Sequence, residues 1–271
     1  MSYFICPVCR EKFNVTNNSC ICSNNHCFDI SRKGTINLLR SQKSSHGDDK
    51  IMVNARKNFL NKGYYQPLLD VLNNQTLSVA SDNCTILDCG CGECWYTANI
   101  YEHLLRNGVS SNFLGIDVSK EAIMAGAGRN KALKLAVATV FDIPVADKSC
   151  DIVISLFAPF SLNEYNRILK EKGYFITAFP MEEHLWELKK AVYEKPYKNE
   201  VSDMKIEGFE LIETKIINEY IELQSTEDIL SLFSMTPYYY KTSKSDKEKL
   251  NNLSTLKTRI HFCSAIYRKI T

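Results

Sequence analysis

The sequence predicts a doubly wound α/β sheet preceded by a small metal-stapled module, and three observations predict it. From residue 84 onward, short apolar runs alternate with helical patterns, the rhythm of a largely parallel sheet covered by helices. The first of those runs, Thr85-Ile86-Leu87-Asp88, ends in a glycine-rich turn, Cys89-Gly90-Cys91-Gly92. Five of the eleven cysteines fall within the first 27 residues, at Cys6, Cys9, Cys20, Cys22 and Cys27. A stretch that short cannot fold on an apolar core alone.

The elements follow in order. Residues 1–37 form the Cys-rich module, and the polar residues 40–50 read as a linker. Apolar residues at helical spacing predict helices over 51–62 and 66–79, separated by Gly63. Strands are expected at 85–88, 112–117, 135–140, 149–156 and 173–179, with helices at 95–107, 119–130 and 161–170 between them. The tail holds two β-rich runs, Phe209–Leu223 and Lys257–Arg268, with helices near 226–234 and 244–253. These runs fit a sixth strand and a last antiparallel strand inserted beside it, for seven strands in all. The expected division is a finger over 1–37, a linker and helical region over 38–80, and the sheet domain over 81–271.

Hydrophobic residues make up 45% and charged residues 24%, ordinary globular values. No stretch approaches the roughly 20 apolar residues that span a bilayer, so no membrane is expected. The first residues lack the basic-then-apolar pattern of a signal peptide, which places the chain in the cytoplasm. There, cysteines serve as metal ligands or small buried hydrophobes rather than disulfides. The net charge of +2 is uneven. Residues 1–62 carry ten Lys/Arg and four Asp/Glu, and the remainder 23 and 27. A basic front on an acidic body implies an anionic partner, the alternative being a solvated face.

Cys6-Pro-Val-Cys9 followed by Cys22 and His26 has the spacing Cys-x2-Cys-x12-Cys-x3-His. Zn2+ takes four such ligands in a tetrahedron, and a filled tetrahedron is structural rather than catalytic. Cys20 and Cys27 are alternatives to Cys22 and His26.

Gly90 and Gly92 allow a tight turn and close approach of a ligand to the backbone. Asp88 opens the turn, no Lys-Ser/Thr phosphate loop follows, and the third glycine of a dinucleotide fingerprint is absent. The turn therefore points away from NAD and towards S-adenosylmethionine. Asp117 ends the second strand about 25 residues on, where a carboxylate accepts ribose hydroxyls. Its bland alternative is to cap the next helix. Thr139 and Val140 would meet the adenine through backbone groups, with Phe141 as a wall and Asp142 as a weaker candidate. Phe157-Ala158-Pro159-Phe160 ends the fourth strand where a methyl acceptor would lie, and an aromatic there can stack on a base.

Together these residues resemble the 23S rRNA guanine-N1 methyltransferases of the RlmA type. The resemblance runs nearly end to end. It includes Cys6-Pro-Val-Cys9, His26-Cys27-Phe28-Asp29, Tyr64-Tyr65-Gln66-Pro67, Asp88-Cys89-Gly90-Cys91-Gly92-Glu93, His184-Leu185-Trp186-Glu187-Leu188-Lys189 and Met235-Thr236-Pro237. It implies a class I methyltransferase sheet of Rossmann-like form with an N-terminal zinc-ribbon-like finger. It implies Cys6, Cys9, Cys22 and His26 as zinc ligands. It implies Tyr65, the turn residues through Cys94 and Trp95, Asp117 and His184 around the cofactor. The implied reaction is methylation of guanine N1 in a hairpin loop of 23S rRNA, and some members of the family confer macrolide resistance. The expected partners are that loop and a second copy of the chain in a homodimer. Such proteins usually have glycine in place of Cys94, so this side chain is expected to crowd the methionine end of the cofactor. His184 is the candidate general base, or else a contact of the cofactor carboxylate. Arg10, Lys12, Arg32, Lys33, Arg40, Lys43, Arg56 and Lys57 are candidate phosphate contacts. Two rival classes are a small-molecule methyltransferase with a purely structural finger, which the basic front disfavours, and a non-catalytic RNA-binding module, which the intact Asp88, Gly90, Gly92 and Asp117 disfavour.

Overall fold

The computed structural model describes residues 1–40, 47–201 and 203–270. Most of the polar stretch at 40–50, with Lys43, lies outside the described residues.

The N-terminal module is a three-stranded antiparallel sheet of β1 (Phe13–Val15), β2 (Ser19–Cys22) and β3 (Cys27–Asp29), followed by the two-residue β4 (Ile36–Asn37). Two helices come next. In α1 (Lys50–Asn61) the Asp49 side chain accepts from the N–H of Met52, capping the first turn. In α2 (Gln66–Val79) Pro67 lies in the first turn, where its missing N–H costs nothing.

The large sheet is built from β5 (Cys84–Cys89), β6 (Ser111–Asp117), β7 (Lys134–Val137), β8 (Cys150–Leu156) and β9 (Leu169–Pro180), linked by α3 (Trp95–Arg106), α4 (Lys120–Gly126) and α5 (Leu162–Ile168). All six residues of β5 are buried, as expected of a central parallel strand covered on both faces. The tail adds α6 (Trp186–Val192), β10 (Phe209–Leu223), α7 (Thr226–Ser234), the short α8 (Tyr238–Lys241) and α9 (Lys244–Glu248), and β11 (Leu256–Lys269). The strand order is β10-β11-β9-β8-β5-β6-β7-β4. As anticipated, β11 enters between β9 and β10, antiparallel to both.

The sheet has eight strands rather than seven. The eighth is β4, which pairs in parallel with β7 in the register Ile36↔Ala136 and Asn37↔Val137. The module is therefore part of the sheet. Phe4 bridges Val145, and the N–H of Ile5 donates to the Pro144 carbonyl at 2.9 Å. Phe4, Cys20, Ile36 and Leu38 are buried in one apolar cluster with Val140, Ile143 and Val145. Full burial of a side chain the size of Phe4 stabilises by roughly 1.5–3 kcal/mol. The other face carries the larger cluster, where Phe59, Leu68, Leu69, Leu104 and Leu188 pack on Ile86, Ile152, Ile176 and Phe262.

Local boundaries also differ from expectation. β7 stops at Val137 rather than 140, α4 ends at Gly126 rather than 130, and α5 yields to β9 at Leu169. No described helix is long and apolar enough to cross a membrane.

Candidate active site and metal centre

In the N-terminal module, ligand atoms of Cys6, Cys9, Cys22 and His26 all lie within 4.8 Å of one another. Cys9 Sγ and Cys22 Sγ are 3.6 Å apart, and His26 Nδ1 is 3.5 Å from Cys6 Sγ and 3.3 Å from Cys22 Sγ. With Zn–S near 2.3 Å and Zn–N near 2.0 Å, the edges of a tetrahedron come to about 3.5–3.8 Å. Three sulfurs and one imidazole at these separations fit Zn2+. The backbone N–H of Glu11, foremost among several donors, pulls the Cys9 thiol down to about 6, while burial raises that of Cys6. Cys20 and Cys27 are not alternatives. Cys20 is buried in the apolar cluster beneath the module, and Cys27 is exposed.

A cavity of about 600 Å3 opens at the C-terminal ends of β5, β6 and β8, where open α/β sheets bind ligands. Of the residues expected there, Tyr65, Asp88, Gly90, Gly92, Trp95, Asp117, Thr139, Val140 and His184 line it, as do Phe141 and Phe157. Gly90 has φ +80°, and a Cβ there would collide with that of Ala158, so the turn admits only glycine.

Asp117 Oδ2 accepts from the N–H of Gly92 at 2.9 Å and its Oδ1 from that of Ser119 at 2.8 Å. The helix-capping alternative falls to Ser119, whose Oγ accepts from the N–H of Ala122. Half of the Asp117 acceptor sites remain for a ligand. Asp88 Oδ2 accepts from the Thr97 hydroxyl at 2.6 Å. Its Oδ1 is buried without a partner among the described residues, as are Glu93 Oε1 and the Tyr96 hydroxyl, and all three residues line the cavity. Burial raises the Asp88 carboxyl to about 7, against the hydrogen bond from Thr97. Orphaned acceptors of this kind match a ligand carrying an ammonium and hydroxyls, as S-adenosylmethionine does.

His184 is buried, and burial foremost, with Lys189 and His261 adding, drives its imidazole down to about 3. Its Nδ1 accepts from the backbone N–H of His261 at 3.2 Å. The neutral ring then carries its proton on Nε2. With Nδ1 taken, Nε2–H is the ring group left for a ligand. Its ring centroid is 4.2 Å from that of Phe262, and Tyr65 packs on Phe262 at 5.1 Å and on Phe59 at 4.9 Å.

Cys94 does not line the cavity. It has φ +63° and its thiol fills the slot beside Gly126 of α4. The thiol is thus directed towards α4, and the left-handed backbone explains why glycine suits the position. Asp142 also points elsewhere, forming an ion pair with Arg10, whose guanidinium donates to the Ile143 carbonyl as well. Arg56 pairs with Asp48 at the cavity wall. Arg10 and Arg56 are thus each tied to a carboxylate of the chain itself.

Several lining residues carry no signal of their own in the sequence: Asp48, Tyr96, Thr236, Tyr238 and Phe262. Thr236 belongs to a stretch the resemblance includes. Phe262 is one apolar residue in a long strand.

The fold and cavity define a class I methyltransferase. The RlmA N-terminal zinc-ribbon family matches residues 4–46, and a methyltransferase-domain family matches residues 80–251, more than half of the chain. The chain belongs to this methyltransferase family, with S-adenosylmethionine and Zn2+ as its cofactors. It is similar to Bacillus subtilis YxjB, provisionally named a 23S rRNA (guanine-N(1)-)-methyltransferase, with 29% identity over 255 residues covering 90% of this chain and 89% of that protein. It is similar also to the 23S rRNA (guanine(748)-N(1))-methyltransferase of Streptomyces fradiae, with 31% identity over 190 residues covering 69% and 66%. Among solved structures, YcgJ of Bacillus subtilis superposes with TM-score 0.50 at 14% identity, covering 75% of this chain and 98% of that one. A chain of the Haloferax volcanii complex between the Trm112 methyltransferase activator and a provisionally named methyltransferase gives TM-score 0.51 at 16% identity, covering 84% and 100%. These two speak for the fold alone.

Proposed function

We propose that the protein transfers the methyl group of S-adenosylmethionine to N1 of a guanosine in a hairpin loop of 23S rRNA, with the zinc ribbon helping to hold the RNA. The observation that carries this reading is the joining of the ribbon to the methyltransferase sheet through β4, in a chain similar over 90% of its length to a protein named for that reaction. The proposed organisation is a finger over 1–37, a helical region over 38–80 and a transferase domain over 81–271.

The cofactor would supply an electrophilic methyl on a sulfonium and leave as the neutral thioether, while the proton of guanine N1 is released to the medium. The chain supplies alignment and exclusion of water. Asp88 Oδ1 takes the cofactor ammonium, Asp117 the ribose hydroxyls, and Nε2–H of His184 the carboxylate. Thr139 and Val140 flank the adenine, and Tyr65 and Trp95 close the walls around the turn. Phe157 marks the acceptor end. It holds φ +58°, strained for an aromatic residue, and its half-exposed ring leans on Phe262 at 5.4 Å. An unpaired guanine splayed from its loop can stack there.

A homodimer and a cytoplasmic setting belong to the same reading. β10 is an edge strand of 15 residues with Ile212, Ile216 and Tyr220 exposed, a surface suited to a second copy. Light scattering at the mass of one chain would remove the dimer. The reaction itself is tested by primer extension on rRNA from a deletion strain. Loss of a stop at one hairpin-loop guanosine is expected, and unchanged stops at all of them would refute it.

A further inference from the structure

A second concavity lies where the ribbon meets the sheet. It encloses about 480 Å3. One wall is the turn at Arg32, Lys33, Gly34 and Thr35, and the other is the segment after α4 that carries Asn130 and Lys131. The turn is held by backbone hydrogen bonds from Ser31 N–H to Thr35 O and from Gly34 N–H to Ser31 O, both 2.8 Å. β4 follows it and pairs with β7, which follows Lys131, so both walls are fixed to one sheet.

The cleft is lined by three cations and no carboxylate. Among the described residues Arg32, Lys33 and Lys131 form no ion pair, unlike Arg10 and Arg56. Lys33 Nζ donates to the Met124 carbonyl at 2.9 Å, which fixes its direction and leaves it protons to give. Like charges gathered in a fixed cleft repel one another, and an oxyanion relieves that repulsion. No aromatic side chain lines the cleft, so nothing there would stack a base. Distance also fits. Ser119, which caps α4, donates its hydroxyl to the Asp48 carbonyl at the first cavity, and Ala127 beyond the other end lines the cleft. Seven helical residues span roughly 10 Å.

We infer that this cleft seats a backbone phosphate of the RNA, with Arg32, Lys33 and Lys131 as its ligands, at the far end of α4 from the methyl-transfer cavity. The inference rests on the rRNA reading and gives the ribbon a definite role. The ribbon completes a sequence-independent anchor whose other half is on the transferase sheet.

The test uses the full chain carrying Arg32→Gln and Lys131→Gln together, with Lys172→Gln plus Lys257→Gln as a charge-matched control on exposed positions remote from both cavities. Binding to transcribed 23S rRNA is measured against salt, with KM, kcat and the cofactor Kd. The cleft variant is expected to lose about 1–2 from the slope of log affinity against log salt, to raise KM about tenfold, and to keep kcat and cofactor Kd. A slope and KM equal to wild type, or equal losses in the control, would overturn the inference. So would saturable binding of inorganic phosphate that leaves RNA affinity untouched, since that marks a small-anion site. Should the double variant fail to fold, Lys131→Gln alone, in an exposed turn, reads the same slope at about half the size. Absence of rRNA methylation by the wild type would remove the rRNA reading instead, whatever the cleft binds.

Discussion

The backbone N–H of His261 occupies Nδ1 of His184, and that one contact sets the side chain's chemistry at the cavity. A ring whose Nδ1 is taken and whose imidazole is driven to about 3 stays neutral at working pH. His184→Gln, which keeps a donor, is expected to weaken cofactor affinity a few-fold, roughly the loss of one imperfect hydrogen bond. The pH–rate profile should keep its shape. Disappearance of a limb near neutral pH, with kcat down by the hundredfold or more of a lost general base, would make His184 the base after all.

The same residue sets a stability trend. The folded value lies below the ordinary 6.5, so the native state binds fewer protons than the unfolded chain between about 3 and 6.5. Its contribution is fully present above pH 6.5 and is lost as pH falls through that window. Urea midpoints at pH 7 and pH 5 should diverge more for wild type than for His184→Gln, and equal divergence would contradict the assignment.

Asp88 shifts the other way. Its carboxyl is raised to about 7, so the protein without cofactor holds a proton there that an incoming ammonium must displace. Cofactor affinity is expected to tighten about tenfold between pH 6 and pH 8, with proton release visible as a buffer-dependent binding enthalpy. Asp88→Asn should bind more weakly and without that pH dependence. A flat profile in wild type would sever Asp88 from the cofactor.

Cys94→Gly should leave cofactor affinity within about threefold, because the thiol faces Gly126 rather than the cavity. Relief of the left-handed backbone, about 1 kcal/mol, offsets the lost burial of the thiol, so Tm should move by only a few degrees. Tenfold tighter binding in Cys94→Gly would restore the crowding idea.

Metal removal should be felt well beyond the ribbon. One zinc per chain is expected by elemental analysis. Cys9→Ser or a strong chelator should lower Tm of the whole chain, not merely of the first forty residues, because β4 and Phe4 belong to the large sheet and its core. An unchanged main transition would show that the ribbon unfolds alone.

The parts legible in the sequence are those whose signal is local. The strand into Gly90 and Gly92, Asp117 at the end of the next strand, and the two Cys/His knuckles each occupy a few consecutive residues. What escaped is contact at long range. β4 has two residues, too few for any periodicity, and becomes a strand only because β7 offers an edge. Asp142 reads as an adenine contact until Arg10, 132 positions earlier, is seen to hold it. Phe262 reaches the cavity only because β11 inserts between β9 and β10. The direction of the Cys94 thiol depends on a backbone angle that no pattern of residue types reveals.

The pairing of β4 with β7 bears on how this gene product can be handled. A fragment starting after the ribbon would present β7 as a bare edge and would uncover Val140, Ile143 and Val145. Exposed edges and apolar patches of that kind template aggregation. The ribbon thus shields the transferase half from its own sticky edge, so a fragment lacking residues 1–40 is expected to be prone to aggregation.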